Sequence, residues 1–243
     1  MLEHGFHNMD CMDGMAQFPD KYFELAIVDP PYGIGETAKR ALTRGKSSSK
    51  WGKAHPVIYA GNNEWDDNPP DKSYFDELFR VSENQIIWGA NYYPEHLIRS
   101  MGWIAWYKKG QSPNSDFSDC EFAYTSFWRA SKFFNYPWVG FGAVNSKEVR
   151  IHPTQKPVAL YKWLLQNYAK PCDKILDTHV GSASSLIACH QMGYEYVGFE
   201  IDKDYYAMAK RRLELAQAQV SLFDKEEPEY AGQVDLELPL KEG

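Results

Sequence analysis

Short apolar runs alternate with amphipathic stretches along the chain, a pattern that predicts a mixed α/β fold. Residues 22–29 are apolar and closed by proline, as expected for a buried strand. Further strands are expected at 84–90, 102–108, 120–127, 174–177 and 194–201. Apolar residues at helical spacing predict helices at 73–81, 157–169, within 180–193 after an opening turn, and at 202–219 with Asp202 as N-cap.

The strand–helix–strand–helix order of residues 174–219 predicts a parallel sheet with right-handed crossovers. In such sheets, ligands bind at the carboxyl ends of the strands. Gly181 would let the backbone approach a ligand there, and Ser182 is expected to cap the following helix. Glu200 ends the next strand, where an acid can accept both ribose hydroxyls. The pattern favours an adenosine-like ligand; an ordinary glycine turn beside a solvated acid is the alternative.

The segment IHPTQKPVAL, residues 151–160, provides a second part of a ligand site. Pro157 suits the first position of a helix, so Thr154, Gln155 and Lys156 cluster just before a helix N-terminus. Backbone N–H groups, a hydroxyl and an ammonium together could hold a small carboxylate. Any proline-bounded helix start would give a similar pattern.

The strand at 22–29 ends in the sequence DPPY, residues 29–32. A base amine is a poor nucleophile, and two acceptors aimed at its hydrogens stabilise the transition state in which it attacks a methyl group. Asp29 supplies one acceptor and the Pro30 carbonyl a second, while Pro30 and Pro31 keep the strand end extended. Tyr32 offers a face for an unstacked base. The alternative is a simple proline turn.

Composition limits the classes of protein that remain. The apolar share of 44% is ordinary for a soluble globule, and no apolar run reaches the ~18 residues of a membrane span. The N-terminus lacks a secretory signal pattern. The four cysteines are scattered and the seven histidines show no metal spacing. We therefore expect a cytoplasmic protein with no structural metal.

Charge is distributed unevenly along the chain, whose net charge is −7. Residues 222–243 carry a net −5 and form an acidic tail, here assigned to 221–243 beyond a single domain at 1–220. Residues 36–53 carry a net +5 within an irregular stretch of about 33–70, which we interpret as a DNA-binding loop; a solvated lysine-rich surface is the alternative. The bases of this loop are Lys39, Arg40, Arg44, Lys46, Lys50 and Lys53.

DPPY at 29–32 and HPTQKP at 152–157, followed by the glycine turn at 177–182 and the acid at 200, resemble the β-group of S-adenosylmethionine-dependent DNA amino-methyltransferases. This group is circularly permuted, with the catalytic half before the cofactor half, and the resemblance spans residues 6–215. It implies a Rossmann-like α/β fold: a seven-stranded, mostly parallel sheet with helices on both faces. It also implies S-adenosylmethionine as cofactor, double-stranded DNA as partner and no metal or membrane, and leaves a homodimer open.

The resemblance assigns further roles. Family members carry Asp-Cys before a short helix, so Asp10 and Cys11 are expected at the adenine of the cofactor. Asp29, Asp177 and Ile201 are also expected to contact the cofactor. Residues 131–150 are expected to form a small segment for DNA recognition. DPPY goes mostly with adenine N6 as target, the base being flipped from the duplex.

One motif departs from the family. Its turn usually reads Asp-Pro-Phe-x-Gly-Ser-Gly-Thr, but this chain has DTHVGSAS, with Thr178 and His179 in place of the proline and the aromatic residue and Ala183 in place of a glycine. The departure keeps open a nucleic-acid-binding partner subunit with an impaired cofactor pocket. Apart from it, the same chemistry on cytosine N4 or an RNA adenine is a further alternative.

Overall fold

The computed structural model of the chain describes residues 1–34, 68–108, 118–138, 148 and 150–223. The six bases of the expected DNA-binding loop lie outside the described residues, as do residues 139–147 of the expected recognition segment. Residues 224–243 of the acidic tail lie outside them too. The division into one domain and a tail therefore stays a prediction.

A single sheet of eight strands forms the centre of the described chain. From one edge to the other, the strands are β1 (Gly5–Asn8), β8 (Glu195–Glu200), β7 (Lys174–Asp177), β2 (Phe23–Val28), β3 (Ser82–Trp88), β5 (Cys120–Thr125), β4 (Trp103–Tyr107) and β6 (Lys132–Asn135). The first five are mutually parallel, β5 is antiparallel to both neighbours, and β6 is parallel to β4. The mostly parallel α/β fold is confirmed, but the expected seven strands were one too few.

The two strands that the apolar pattern did not reveal are the two edges of the sheet. β1 reads GFHN and β6 reads KFFN, and neither contains a fully buried residue. An edge strand has only one neighbour and need not be buried on both faces, so it requires no continuous apolar run. The six inner strands were all predicted from their apolar residues.

Five α-helices flank the sheet within the described residues. They are α1 (Cys11–Met15), α2 (Lys72–Val81), α3 (Val158–Tyr168), α4 (Ser184–Gln191) and α5 (Lys203–Phe223). The Asp202 carboxylate caps α5 by accepting from the backbone N–H groups of Asp204 (2.8 Å) and Tyr205 (3.0 Å), as predicted.

Two helix starts differ from expectation. Ser182 does not cap α4: the residue before that helix is Ala183, with a left-handed φ of +61° and no side-chain cap, so the helix begins one residue later than a Ser182 cap requires. Pro157 is not the first residue of α3 but precedes it in extended conformation. The Glu148 carboxylate takes the capping role by accepting from the N–H of Val158 at 3.1 Å.

Helices cover both faces of the sheet, as expected. In β2, Ala26 and Val28 pack on one face together with residues of α1 and α2, whereas Leu25 and Ile27 pack on the other face with residues of α3 and α4. This alternation explains why the strand is apolar at nearly every position.

The parallel arrangement brings four polar residues to one edge of the sheet. Asn8, Glu200 and Asp177 are the last residues of β1, β8 and β7, and Asp29 follows β2 directly. Because these four strands are neighbours and parallel, their carboxyl ends lie side by side. This edge is where an open α/β sheet binds its ligands.

Candidate active site

The DPPY segment places a carboxylate at the end of β2, and each of its two oxygens accepts a hydrogen bond. Asp29 Oδ1 accepts from the Tyr32 hydroxyl at 2.7 Å, and Asp29 Oδ2 accepts from the Lys156 ammonium. The Tyr32 ring stacks on the ring of Tyr92, with centroids 4.9 Å apart and planes 16° from parallel. The carboxylate and the aromatic ring of DPPY therefore lie side by side, and their roles toward a base stay a prediction.

Four charged side chains form a cluster around Lys156. The Lys156 side chain is 3% exposed, and its ammonium pairs with Asp29 and lies 3.2 Å from Glu121 Oε2. Lys108 pairs with the other oxygen of Glu121. Burial opposes ionisation of Glu121, but the two lysines outweigh it and lower the pKa of its carboxyl to about 2. Burial likewise lowers the pKa of Lys156, and its two carboxylate partners reverse that effect and raise it.

Lys156 is expected at the carboxylate of the cofactor, and in the structure its ammonium pairs with two carboxylates of the chain itself. Its contact with the cofactor stays a prediction. Glu121 and Lys108 carried no sequence signal, because they lie 35 and 48 positions before Lys156 and meet it only through the pairing of β4 with β5.

Two cavities meet at this carboxylate. The first, of about 300 Å³, includes Asp29, Pro30, Pro31 and Tyr32 in its lining, together with Trp106 and Glu121. The second, of about 260 Å³, lies toward β7 and β8. Their common wall consists of Asp29, Pro31, Thr154, Gln155 and Lys156. A group bound in one cavity can therefore meet a group bound in the other beside Asp29.

The second cavity brings together most of the residues predicted for cofactor binding. Those that line it are Asp29, Thr154, Gln155, Lys156, Gly181, Ser182, Glu200 and Ile201. Within this set, Gln155 is buried, and its side-chain oxygen accepts from the N–H of Ile151 at 2.9 Å. It supports the loop that carries Thr154.

Glu200 is held in a fixed orientation at this cavity. Its Oε2 accepts from the N–H of Gly181 at 2.9 Å and its Oε1 from the N–H of Asp202 at 3.0 Å. Burial raises the pKa of the carboxyl, and these two hydrogen bonds oppose the rise. Gly181 has a φ of +54°, which favours glycine. Each carboxylate oxygen keeps a lone pair, so the site can still accept two hydroxyls.

Asp177 does not line the second cavity, contrary to its expected cofactor contact. Its side chain is buried, with Oδ2 accepting from the Ser185 hydroxyl and Oδ1 from the N–H of His179 at 3.0 Å. Burial raises the pKa of its carboxyl to about 7, although both hydrogen bonds favour the charged form. Asp177 shapes the turn and does not face the ligand space.

Asp10 and Cys11 also lie outside the lining of the second cavity. The Asp10 carboxylate caps α1 by accepting from the N–H of Met12 at 2.7 Å. Burial raises the pKa of the Cys11 thiol to about 12. Both residues follow β1, whose Asn8 is paired with Glu200, so they stand next to the cavity. Their contact with an adenine stays a prediction.

Some lining residues were not predicted at all. His152, Tyr161, His179 and Tyr205 complete the second cavity. Burial and the charge of Lys156 lower the pKa of His152 to about 3, so its ring is neutral. His179 belongs to the turn that departs from the family pattern, and the sequence predicted no ligand contact for it.

The described residues contain no group of three or more His, Cys, Asp or Glu side chains arranged to hold a metal ion. Within the same part of the chain, no helix has the length and apolar character needed to span a membrane.

Known proteins with similar sequences are DNA-modifying enzymes. A family model described as DNA methylase matches residues 81–211. The chain is 38% identical to the type II methyltransferase M.HpaI of Haemophilus parainfluenzae, over 84% of this chain and 72% of that protein. It is 26% identical to the type II methyltransferase M2.MboI of Moraxella bovis, over 84% of this chain and 85% of that protein.

Solved structures show the same fold. The complex of M1.HpyAVI with SAM aligns with a TM-score of 0.53 and 19% identity, covering 86% of this chain and 98% of that one. The PvuII cytosine-N4-specific DNA methyltransferase aligns with a TM-score of 0.55 and 11% identity, covering 90% and 93%. The Rossmann-like arrangement expected from the sequence is thereby confirmed.

Proposed function

Because the chain belongs to the N6/N4 DNA methylase family and is an S-adenosylmethionine-dependent DNA methyltransferase, we propose that its target is N6 of an adenine rotated out of double-stranded DNA. The observation that carries the proposal is the common wall of the two cavities, in which Asp29 lies. The second cavity takes the cofactor and the first takes the base. We infer that the reaction occurs in the cytoplasm, where both substrates are found.

The second cavity suits the cofactor by its chemistry. Glu200 faces it with an oriented carboxylate that accepts the ribose hydroxyls. Thr154 belongs to the common wall, and its hydroxyl can donate to the carboxylate of the amino-acid end. When bound, S-adenosylmethionine supplies an electrophilic methyl group at the common wall.

In the first cavity, Asp29 and Pro30 position the amine. The amino group replaces the Tyr32 hydroxyl as donor to Asp29 Oδ1 and gives its second hydrogen to the Pro30 carbonyl. Both acceptors favour the tetrahedral nitrogen that forms as the lone pair leaves the ring, so they stabilise the transition state more than the bound base. Tyr32 then offers its face to the base, and holding the two reactants in line supplies much of the remaining rate gain.

Lys156 acts as a positioning residue. Its ammonium holds Asp29 Oδ2 and is itself fixed by Glu121. Asp29 is therefore held with Oδ1 turned to the base.

We assign DNA contact to the loop at about 33–70 and to the segment 131–150. A homodimer in which two subunits share recognition of one site would compensate for the small size of these segments. Light scattering of the free protein and of its complex with DNA measures that state directly.

The test is transfer of labelled methyl from S-adenosylmethionine to unmethylated bacterial DNA, followed by digestion to nucleosides and mass spectrometry. Asp29→Ala is compared with Asp76→Ala, an acid in an exposed pair with Lys72. N6-methylated adenosine that disappears only in Asp29→Ala supports the proposal.

Other products would change the conclusion. N4-methylated cytidine in the same digest would replace adenine as the target, and label found only in added RNA would replace DNA as the substrate. A folded protein that does not bind the cofactor and does not label any nucleic acid would indicate a partner subunit.

A further inference from the structure

We propose that His179 is a cofactor-binding residue whose neutral imidazole donates a hydrogen bond from Nε2 to the adenosine half of S-adenosylmethionine. Thr178 and Tyr74 act as positioning residues that fix its tautomer. The inference rests on the proposed function and assigns a role to the two residues of the turn that depart from the family pattern.

His179 occupies a central position at the carboxyl edge of the sheet. It follows β7, which lies between β8 with Glu200 and β2 with Asp29. His179 lines the second cavity, and its backbone N–H donates to the Asp177 carboxylate. A ligand that extends from Glu200 to the common wall at Asp29 therefore passes in front of this imidazole.

A hydrogen-bond chain leads from the core to the imidazole. The Tyr74 hydroxyl lies 2.7 Å from Thr178 Oγ1, and Thr178 Oγ1 lies 2.9 Å from His179 Nδ1. The edge of the Tyr74 ring also packs against His179, with centroids 5.4 Å apart. Which atom donates in each of these two hydrogen bonds follows from the requirement that buried hydroxyls find an acceptor.

Only one direction leaves neither the Tyr74 nor the Thr178 hydroxyl without an acceptor. Among the described residues, Thr178 is the sole hydrogen-bond partner of the buried Tyr74 hydroxyl, so the phenol must donate to Thr178 Oγ1. The Thr178 hydroxyl then donates to His179 Nδ1, which must be unprotonated. The imidazole proton is consequently on Nε2, for which the described chain offers no acceptor.

The electrostatic surroundings agree with a neutral donor at the adenosine end. Burial lowers the pKa of His179 to about 4, partly opposed by the charge of Asp10. The ring is therefore neutral near pH 7 and adds no charge beside the cationic sulfonium. Glu200 lines the cavity at the end of β8, and Asp10 stands next to the cavity after the neighbouring strand β1. This is the side that takes the ribose and the base of the cofactor.

The experiment compares two ligands that share the adenosine half. Isothermal titration calorimetry measures the affinity of S-adenosylhomocysteine and of 5′-methylthioadenosine, which lacks the amino-acid end. Thr178→Val removes the hydroxyl, and Thr178→Ser retains it as the matched control. Since Thr178→Val also leaves the Tyr74 hydroxyl unpaired, the double variant Tyr74→Phe/Thr178→Val, in which no buried hydroxyl is left over, separates folding from binding.

The expected result is a loss of roughly 3- to 10-fold in affinity for both ligands in Thr178→Val and in the double variant, with Thr178→Ser near wild type. Two-bond proton–nitrogen correlation spectra of the histidine rings add a readout of the tautomer. The His179 signal, identified by its absence in His179→Gln, should show Nε2–H in the wild type and a mixture in Thr178→Val.

Unchanged affinity and an unchanged tautomer in Thr178→Val would overturn the inference. A loss confined to S-adenosylhomocysteine would also overturn it, because that pattern places His179 at the amino-acid end. If the wild type itself binds neither ligand, the proposed function fails; if the wild type binds and the variants match it, only the role of His179 fails.

Discussion

Replacement of Lys156 by methionine tests the charged cluster most directly. The substitution removes the ammonium but keeps most of the side-chain volume, and it leaves Asp29 and Glu121 without their shared cation. Breaking a buried ion pair from one side typically costs about 3–5 kcal/mol, because the remaining charge stays desolvated. We therefore expect a large loss of stability together with a loss of activity.

The structure gives an independent magnitude. Burial disfavours the Glu121 carboxylate, yet Lys156 and Lys108 together lower its pKa from 4.5 to about 2. At about 1.4 kcal/mol per pKa unit, this difference corresponds to roughly 3 kcal/mol. Lys156 provides the larger part by charge, so Lys156→Met should lower the free energy of unfolding by more than half of this amount, about 2 kcal/mol, at pH 8.

The pH dependence has a definite sign. In the wild type, the depressed pKa of Glu121 contributes stability that is present above pH 4.5 and lost as pH falls toward 2. In Lys156→Met, only Lys108 remains to oppose burial, so the pKa of the Glu121 carboxyl is higher than in the wild type and the folded state takes up this proton at a higher pH. The difference between variant and wild type should therefore shrink between pH 8 and pH 5.

Urea denaturation at both pH values measures this difference, with Lys156→Arg as the charge-retaining control. The double variant Lys156→Met/Glu121→Gln should recover part of the lost stability, since it removes the buried Glu121 charge, which in Lys156→Met has only Lys108 as its partner. Methyl transfer by Lys156→Met should fall about 100-fold in kcat, because Asp29 is no longer oriented. An equal loss of stability at pH 5 and pH 8, or one below about 1 kcal/mol, would refute the reasoning.

Four further substitutions test other parts of the structure. Glu200→Gln should weaken binding of S-adenosylhomocysteine about 10-fold by calorimetry, since an amide has one acceptor oxygen for the two N–H groups that now bind the carboxylate; wild-type affinity would contradict the assignment. Because the folded pKa of Asp177 is raised from 3.8 to about 7, the wild type should lose stability, of the order of 4 kcal/mol, as pH rises from 4 to 7. Asp177→Asn should not show this loss; parallel curves of stability against pH for the two proteins would exclude the assignment. Gly181→Ala should cost only about 1–2 kcal/mol of backbone strain, as its Cβ meets nothing closer than 3.7 Å, whereas Gly198→Ala should cost more because its Cβ would lie 2.6 Å from Val180; thermal unfolding that ranks them in the opposite order would contradict this.

Much of the fold followed from local pattern. The inner strands such as β2 and β7 were predictable because both faces of a parallel sheet are buried and the chain is apolar at each position. The edges β1 and β6 were not, since four mixed residues with one neighbour satisfy no periodic rule. The capping error at Ser182 has a similar origin, because the left-handed Ala183 is not visible in a sequence.

The site was predictable where residue type and strand end together decide the role. Asp29 and Glu200 line the second cavity. Asp177 lies at an equivalent strand end, but its carboxylate is buried and accepts from the Ser185 hydroxyl. Which way a side chain points after a strand depends on the partner it finds there. Lys156 illustrates the same limit, because Glu121 and Lys108 come from a distant hairpin.

The cluster around Asp29 has a consequence for the approach of DNA. Its two carboxylates, Asp29 and Glu121, are matched by the two ammonium groups of Lys156 and Lys108, so Asp29 lies in a group with no net charge. A lone carboxylate would repel the phosphates that flank an extruded nucleotide. The balanced cluster avoids that repulsion in a chain whose total charge is −7. The salt dependence of DNA binding should then arise from contacts outside the catalytic pocket, leaving the pocket itself nearly insensitive to ionic strength.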